Sequence, residues 1–214
     1  MFEQVAHPDD LADVLEVLAS GAPAGFDPAR AAVGPGAGWV MLPFLRPRPS
    51  RFSDGHRYGV FYAGRREATA IAESTFHYAR FLAASHEAAT LLGVQLLRCW
   101  VTGRMVDIRG RRAAVPELYD PDPEQYGPAQ RWAAGLQRVG RAGVVYDSVR
   151  HPAGECVAVF DPRCVTRCAV SSHLPTSGTA APSWRLIACE RSGGGSKRPS
   201  RSQITSHPTR PPHF

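Results

Sequence analysis

Apolar residues fall at helical spacing over 9–20, where Leu11, Val14, Leu15 and Leu18 share one face behind an acidic first turn. A helix is predicted there, followed by a loop rich in Gly, Pro and Ala over 21–38. Residues 39–42 are continuously apolar and read as a short strand. The stretch 43–54 carries three prolines and three arginines, so it is expected to be an extended, exposed connection. Residues 58–63 predict a strand. Residues 67–83 give the clearest helical pattern, with Ala70, Glu73 and His77 on one face.

The apolar, β-leaning run 89–108 predicts two strands broken at Gly103. A proline-bearing loop over 111–128 leads into a helix over 129–139, closed by Gly140. Strands are predicted over 144–146, 156–160 and 165–170. Between the first two lies the polar loop 147–154, rich in hydrogen-bond donors. The alternation of sheet and helix signals implies a mixed α/β fold, with a sheet core flanked by helices. From Pro175 onward hydrophobic periodicity vanishes and Gly, Ser, Thr, Pro and Arg dominate, so that 175–214 is expected to be disordered. The chain thus divides into an N-terminal helix and loop (1–38), a single domain (39–174) and a tail (175–214).

Charge changes the picture only once it is divided. The net charge of +6 suggests nucleic acid, yet six of the 25 basic and one of the 19 acidic residues fall in 174–214. That leaves the tail at +5 and the preceding residues near neutrality at +1, so no phosphate-backbone grip is expected of the body. A binding protein that uses the basic tail on nucleic acid stays as an alternative of another class. The five cysteines, Cys99, Cys156, Cys164, Cys168 and Cys189, are irregularly spaced, which argues against a disulfide framework. Cys164 and Cys168 lack a nearby second pair, so buried apolar thiols are expected in place of a metal site. No stretch approaches the roughly 20 apolar residues of a membrane span, and no export signal opens the chain, so a cytoplasmic protein is expected.

Candidate chemistry gathers at three positions eleven residues apart: Arg51 in a polar turn, Tyr62 in a strand and Glu73 in a helix. A cation, a ring and a carboxylate from three elements suit a pocket for an anionic, aromatic nucleotide. Each also has a plainer reading: a solvated loop arginine, a core aromatic, an exposed helix glutamate. Ser148 is either a turn former or a ligand for phosphate or carboxamide. His77 either orients Glu73 or packs in the core.

Four strings in order, Ser50-Arg51-Phe52, Gly59-Val60-Phe61-Tyr62-Ala63, Thr69-Ala70-Ile71-Ala72-Glu73 and Gly143-Val144-Val145-Tyr146-Asp147-Ser148, resemble the RES domain. RES-domain proteins are the toxins of a class of bacterial toxin-antitoxin pairs. The resemblance covers roughly 40–172 and implies a fold similar to ADP-ribosyltransferases. It also implies an enzyme that consumes NAD by transferring ADP-ribose to inorganic phosphate and releasing nicotinamide. NAD glycohydrolase and protein ADP-ribosyltransferase activities are the alternatives. By the same resemblance Arg51 and Glu73 are catalytic, Arg51, Tyr62 and Ser148 bind NAD, and a helix-turn-helix antitoxin is the partner. NAD and phosphate are substrates, and no further cofactor or metal is implied.

Arg30 is the nearest candidate for a further family arginine but lacks the aromatic neighbour usual there. The Trp-Asp-Gly strand pair that usually closes the family is also missing; with one choice of codons for 175–186, the frame beginning two bases later would spell it, so a frame shift near Leu174 is a hypothesis. DNA codons incompatible with that spelling would exclude a frame shift. With the closing strands lost, an inactive product is a further alternative.

Overall fold

The computed structural model describes residues 2–6, 28–84, 91–170 and 184–187. Its centre is an eight-stranded sheet. Strands β1 (Phe2–Ala6), β4 (Phe61–Gly64), β5 (Leu91–Val101), β6 (Met105–Asp107), β7 (Gly143–Asp147), β8 (Glu155–Val159), β9 (Val165–Val170) and β10 (Trp184–Ile187) build it. The path runs β10-β5-β1-β4-β8-β7-β6, with β9 also paired to β5. Pairing is antiparallel throughout except between β6 and β7. Strands β2 (Pro49–Ser50) and β3 (Ser53–Asp54) form a separate two-stranded ribbon with Arg51 and Phe52 at its turn.

Alternation along β8 shows how the sheet makes two cores. Val157 and Val159 join Phe61, Leu97 and Cys99 in one apolar cluster, covered by Val40, Met41 and Leu45 of helix α1 (Ala37–Leu45). Cys156 and Ala158 point the other way, into a cluster with Tyr146, Phe52, Tyr58 and Phe160. Helix α3 (Gly127–Arg138) closes that second cluster with Ala129 and Ala133. A period of two thus divides the strand between two faces, as pleated geometry requires. Helix α2 (Glu67–Ala84) packs over β1, β4 and β8.

Two glycines permit the close approaches. A Cβ on Gly64 would lie 2.6 Å from the Ala70 nitrogen, so only glycine lets β4 turn directly into α2. At Gly59 a Cβ would lie 1.9 Å from the Pro43 carbonyl oxygen, where α1 presses on the chain entering β4.

The mixed α/β architecture follows the expectation, and so do the strands after residue 58 and the helices α2 and α3, within a few residues at each end. The expected strand over 39–42 is instead the middle of α1. Its apolar run is buried as a helix face, with Val40 and Leu45 at 1% and 2% exposure, so tertiary burial overrides local β preference. Nor is 43–54 an exposed connection. Its first residues complete α1, and Arg51, Phe52 and Ser53 are buried. Strand β1 was not anticipated, and it lies between β4 and β5. The helix expected over 9–20 lies outside the described residues, as does most of 175–214. Of that last segment, Trp184–Ile187 pair with Leu91–Val94 of β5.

Candidate active site

A cleft of about 380 Å³ opens on the α3-side face of the sheet. Tyr62, Tyr146 and Cys156 from β4, β7 and β8 line it together with Glu73, Ser74 and His77 of α2, Tyr126, and Arg48 to Arg51. Arg51, Tyr62 and Glu73 therefore come together as the sequence suggested, along with His77. Ser148 is not part of the lining, and Arg30 pairs with Asp161 at 3.8 Å, away from the cleft.

Arg51 is only 5% exposed. It donates to the Leu118 carbonyl at 3.0 Å and to the Tyr126 hydroxyl at 3.2 Å, and its guanidinium carbon lies 4.5 Å from the centre of the Tyr126 ring. Among the described residues it has no carboxylate partner. The turn carrying it is pinned from the sheet. The Phe52 amide donates to the Tyr62 hydroxyl at 3.0 Å, and that hydroxyl shares a second 3.0 Å bond with Ser50 Oγ. Gln130 of α3 donates to the Ser50 carbonyl at 2.9 Å. Burial raises the Tyr62 phenol above its usual range, so it stays protonated and available to this network.

Glu73 is held differently. The Ser148 hydroxyl donates to its Oε1 at 2.6 Å, and the buried Cys156 thiol approaches the same oxygen at 3.8 Å. Oε2 receives no bond from the described residues. Burial, reinforced by the Glu73 charge, drives the Cys156 thiol far above its usual range, so it is a protonated neighbour and not a nucleophile.

Ser148 also organises its own loop. Its Oγ accepts from the amides of Arg150 at 3.1 Å and His151 at 2.9 Å, while the Ser148 amide donates to the Gly154 carbonyl. With one proton given and two accepted, the hydroxyl is saturated, and it reaches the cleft through Glu73. The loop is fastened to successive turns of α2. His151 bonds Thr69 at 2.9 Å, Ser148 bonds Glu73, and the Arg150 guanidinium carbon stacks 3.4 Å from the Phe76 ring centre.

Desolvation pushes His77 below its ordinary value, and so do the charges of Arg150, Arg51 and Arg80, while Glu73 opposes them. Cys99, Cys156 and Cys168 are buried and Cys164 is half-buried. Tyr126 and Tyr146 were not singled out from the sequence. Tyr146 lies inside one of the motif strings, where it reads as a plain strand aromatic, and nothing local marks Tyr126.

The RES domain matches residues 27–183 of this chain. The chain belongs to the RES-domain family. A relative from Sinorhizobium fredii (strain NBRC 101917 / NGR234), the uncharacterized protein y4oC, is 32% identical over 125 residues, which are 57% of this chain and 49% of the relative. The chain thus spans about half the length of the curated relative it matches. Membership in the family is compatible with an NAD-utilising enzyme. No described helix is long and apolar enough to cross a membrane.

Proposed function

We propose that this RES-domain protein is an NAD phosphorylase. The observation that carries the reading is one cleft lined by tyrosines and holding a carboxylate anchored through one oxygen and a buried guanidinium that, among the described residues, makes no ion pair. Cleavage breaks the bond between C1″ of the ribose and the nicotinamide nitrogen, whose electron pair leaves with the neutral amide. A phosphate oxygen then bonds to C1″, giving ADP-ribose 1″-phosphate with no proton to be supplied. The cationic leaving group needs little acid assistance, so catalysis consists of stabilising the ribosyl oxocarbenium ion and positioning its partners. Glu73 performs the first task. Its Oε1 is fixed by Ser148, which leaves Oε2 for the cationic ring or a ribose hydroxyl. Arg51 binds phosphoryl oxygens as a preset fork. Tyr62 holds the Arg51 turn and presents its ring to the substrate, and Ser148 acts by placing Glu73.

The partner that fits a protein able to drain NAD is a neutraliser, and a helix-turn-helix antitoxin occupying the pocket around Arg51 is the proposed one. The test has two arms. Purified full-length protein incubated with NAD should consume it faster as phosphate is added, saturating, with ADP-ribose 1″-phosphate identified by mass. Expression alone should arrest growth, and co-expression of the partner should restore it. Equal rates in phosphate-free buffer with free ADP-ribose as product would replace phosphorolysis by hydrolysis. An ADP-ribosylated protein as product would indicate protein modification instead.

A further inference from the structure

Two guanidiniums share one phenol in this fold. Arg51 reaches the Tyr126 hydroxyl at 3.2 Å from the ribbon turn, and Arg150 reaches it at 3.5 Å from the loop after β7. Their other hydrogen bonds run to backbone carbonyls, Leu118 for Arg51, Pro121 for Arg150. These are dipoles and carry no net charge. Arg57, Arg80 and Arg109 each pair with a carboxylate at 3.1 Å or closer. Among the described residues neither Arg51 nor Arg150 has such a partner.

Because both nitrogens bond one oxygen, they stand within about 7 Å of each other, close enough for like charges to repel in a weakly screened site. Burying Arg51 to 5% exposure beside a second cation is unfavourable, and Glu73 on the same cleft lining forms no ion pair with either guanidinium among the described residues, so a bound anion would relieve the repulsion. The amides of Arg150, His151 and Gly154 are all used within their own loop.

We propose that Arg51 and Arg150, spaced by Tyr126, form the seat of a single phosphoryl dianion, and that the occupant is the inorganic phosphate acceptor. The assignment rests on the reading of the cleft as an NAD phosphorylase. Two fixed positive charges match a group that concentrates roughly 1.5 to 2 negative charges on one phosphorus near neutral pH. The pyrophosphate of a dinucleotide instead spreads one charge over each phosphorus, and the exposed Arg48 on the cleft lining is placed to meet it. Glu73 is joined to the Arg150 loop through Ser148, so the acceptor seat and the carboxylate that faces the ribose are held by one segment.

The experiment is a phosphate titration of the full-length protein by calorimetry, paired with kinetics in which NAD and phosphate are varied separately. Arg150→Gln should weaken phosphate binding about tenfold or more, and raise the phosphate KM by a like factor with the NAD KM within about twofold. Arg150→Lys should recover part of the loss, because it keeps the charge but not the fork. Tyr126→Phe keeps the ring beneath Arg51 and removes only the shared hydroxyl, and it should give a smaller rise in phosphate KM. Should Arg150→Gln fail to fold, the Lys and Phe variants decide the matter alone.

Unchanged phosphate affinity in folded variants overturns the seat. A rise confined to the NAD KM also overturns it, and assigns the pair to the dinucleotide's pyrophosphate. Phosphate binding that depends on Arg150 without any NAD consumption leaves the seat standing and removes the phosphorylase reading. NAD consumption that rises with phosphate to the same extent in wild type and in Arg150→Gln does the reverse.

Discussion

Glu73 stands on α2, where helical register alone turns it toward the cleft, and one side chain, Ser148, fixes it through one oxygen. Arg51 stands in a turn between two-residue strands and is fixed at both ends. Leu118 and Tyr126 hold its guanidinium, and Tyr62 and Gln130 hold the backbone on either side of it. Among the described residues the carboxylate keeps one oxygen without a bond, and the cation keeps a fixed orientation. That division suits their tasks, since a guanidinium ordered in advance loses little rotamer freedom on binding a phosphoryl group, while a carboxylate must respond to charge that exists only in the transition state.

The sharpest break in that comparison is Glu73→Gln. Removing the charge while keeping the shape should lower turnover at saturating NAD and phosphate by about 10²-fold or more, with melting temperature little changed. Near-normal turnover would take the carboxylate out of the mechanism. Ser148→Ala should act in the same direction but more weakly, on the order of tenfold, because Glu73 keeps its charge and loses its anchor. It should also loosen the 148–154 loop, whose Arg150 and His151 amides lose their acceptor.

On the cation side the expected effects are smaller and of a different kind. Arg51→Lys cannot reach Leu118 and Tyr126 together, and should cost roughly tenfold or more in kcat/KM. Tyr62→Phe leaves the ring in place but strips the Phe52 amide of its acceptor, which should destabilise the fold by about 1–3 kcal/mol. Its kinetic signature should be a raised KM with kcat nearly unchanged, since the hydroxyl holds the turn and touches no reacting atom. A large kcat loss with unaltered stability would instead make that hydroxyl part of the chemistry.

The same asymmetry explains what the sequence shows and what it hides. Helix α2 declares itself by period, and the small residues Ala70 and Ala72 around Glu73 mark a half-buried face, so the carboxylate is readable. Arg51 reads as exposed because prolines and arginines surround it. Its burial depends on Leu118, Tyr126 and Tyr62, partners 67, 75 and 11 residues away along the chain. The motif strings contain Arg51, Tyr62 and Glu73, which line the cleft, and local periodicity supplied its helix and most of its strands. Strand β1 escaped because five residues beside a proline and two aspartates give no sustained alternation. The apolar run within α1 was misread because its length alone does not separate a buried helix from a strand. The saturation of Ser148 and the pairing of Arg51 with Arg150 on one phenol are tertiary facts with no local trace.

His77 lies between the two poles and gives the finest test of how they are balanced. Desolvation lowers its pKa from the ordinary 6.5, the guanidiniums of Arg150, Arg51 and Arg80 lower it further, and Glu73 raises it. A histidine whose folded pKa is depressed takes up its proton more readily in the unfolded chain. Its contribution therefore makes stability fall as pH drops below about 6.5 and through the folded value, and His77→Asn should flatten that part of the profile. Titration of the imidazole by proton NMR should show a midpoint below 6.5. Glu73→Gln should move the midpoint lower, because a charge favouring the cation is gone, and Arg150→Gln should move it higher. The two shifts must have opposite signs if the carboxylate and the guanidinium both act on this ring. A midpoint that ignores both substitutions would mean that His77 answers to solvent alone and that the two poles of the cleft are not coupled through it.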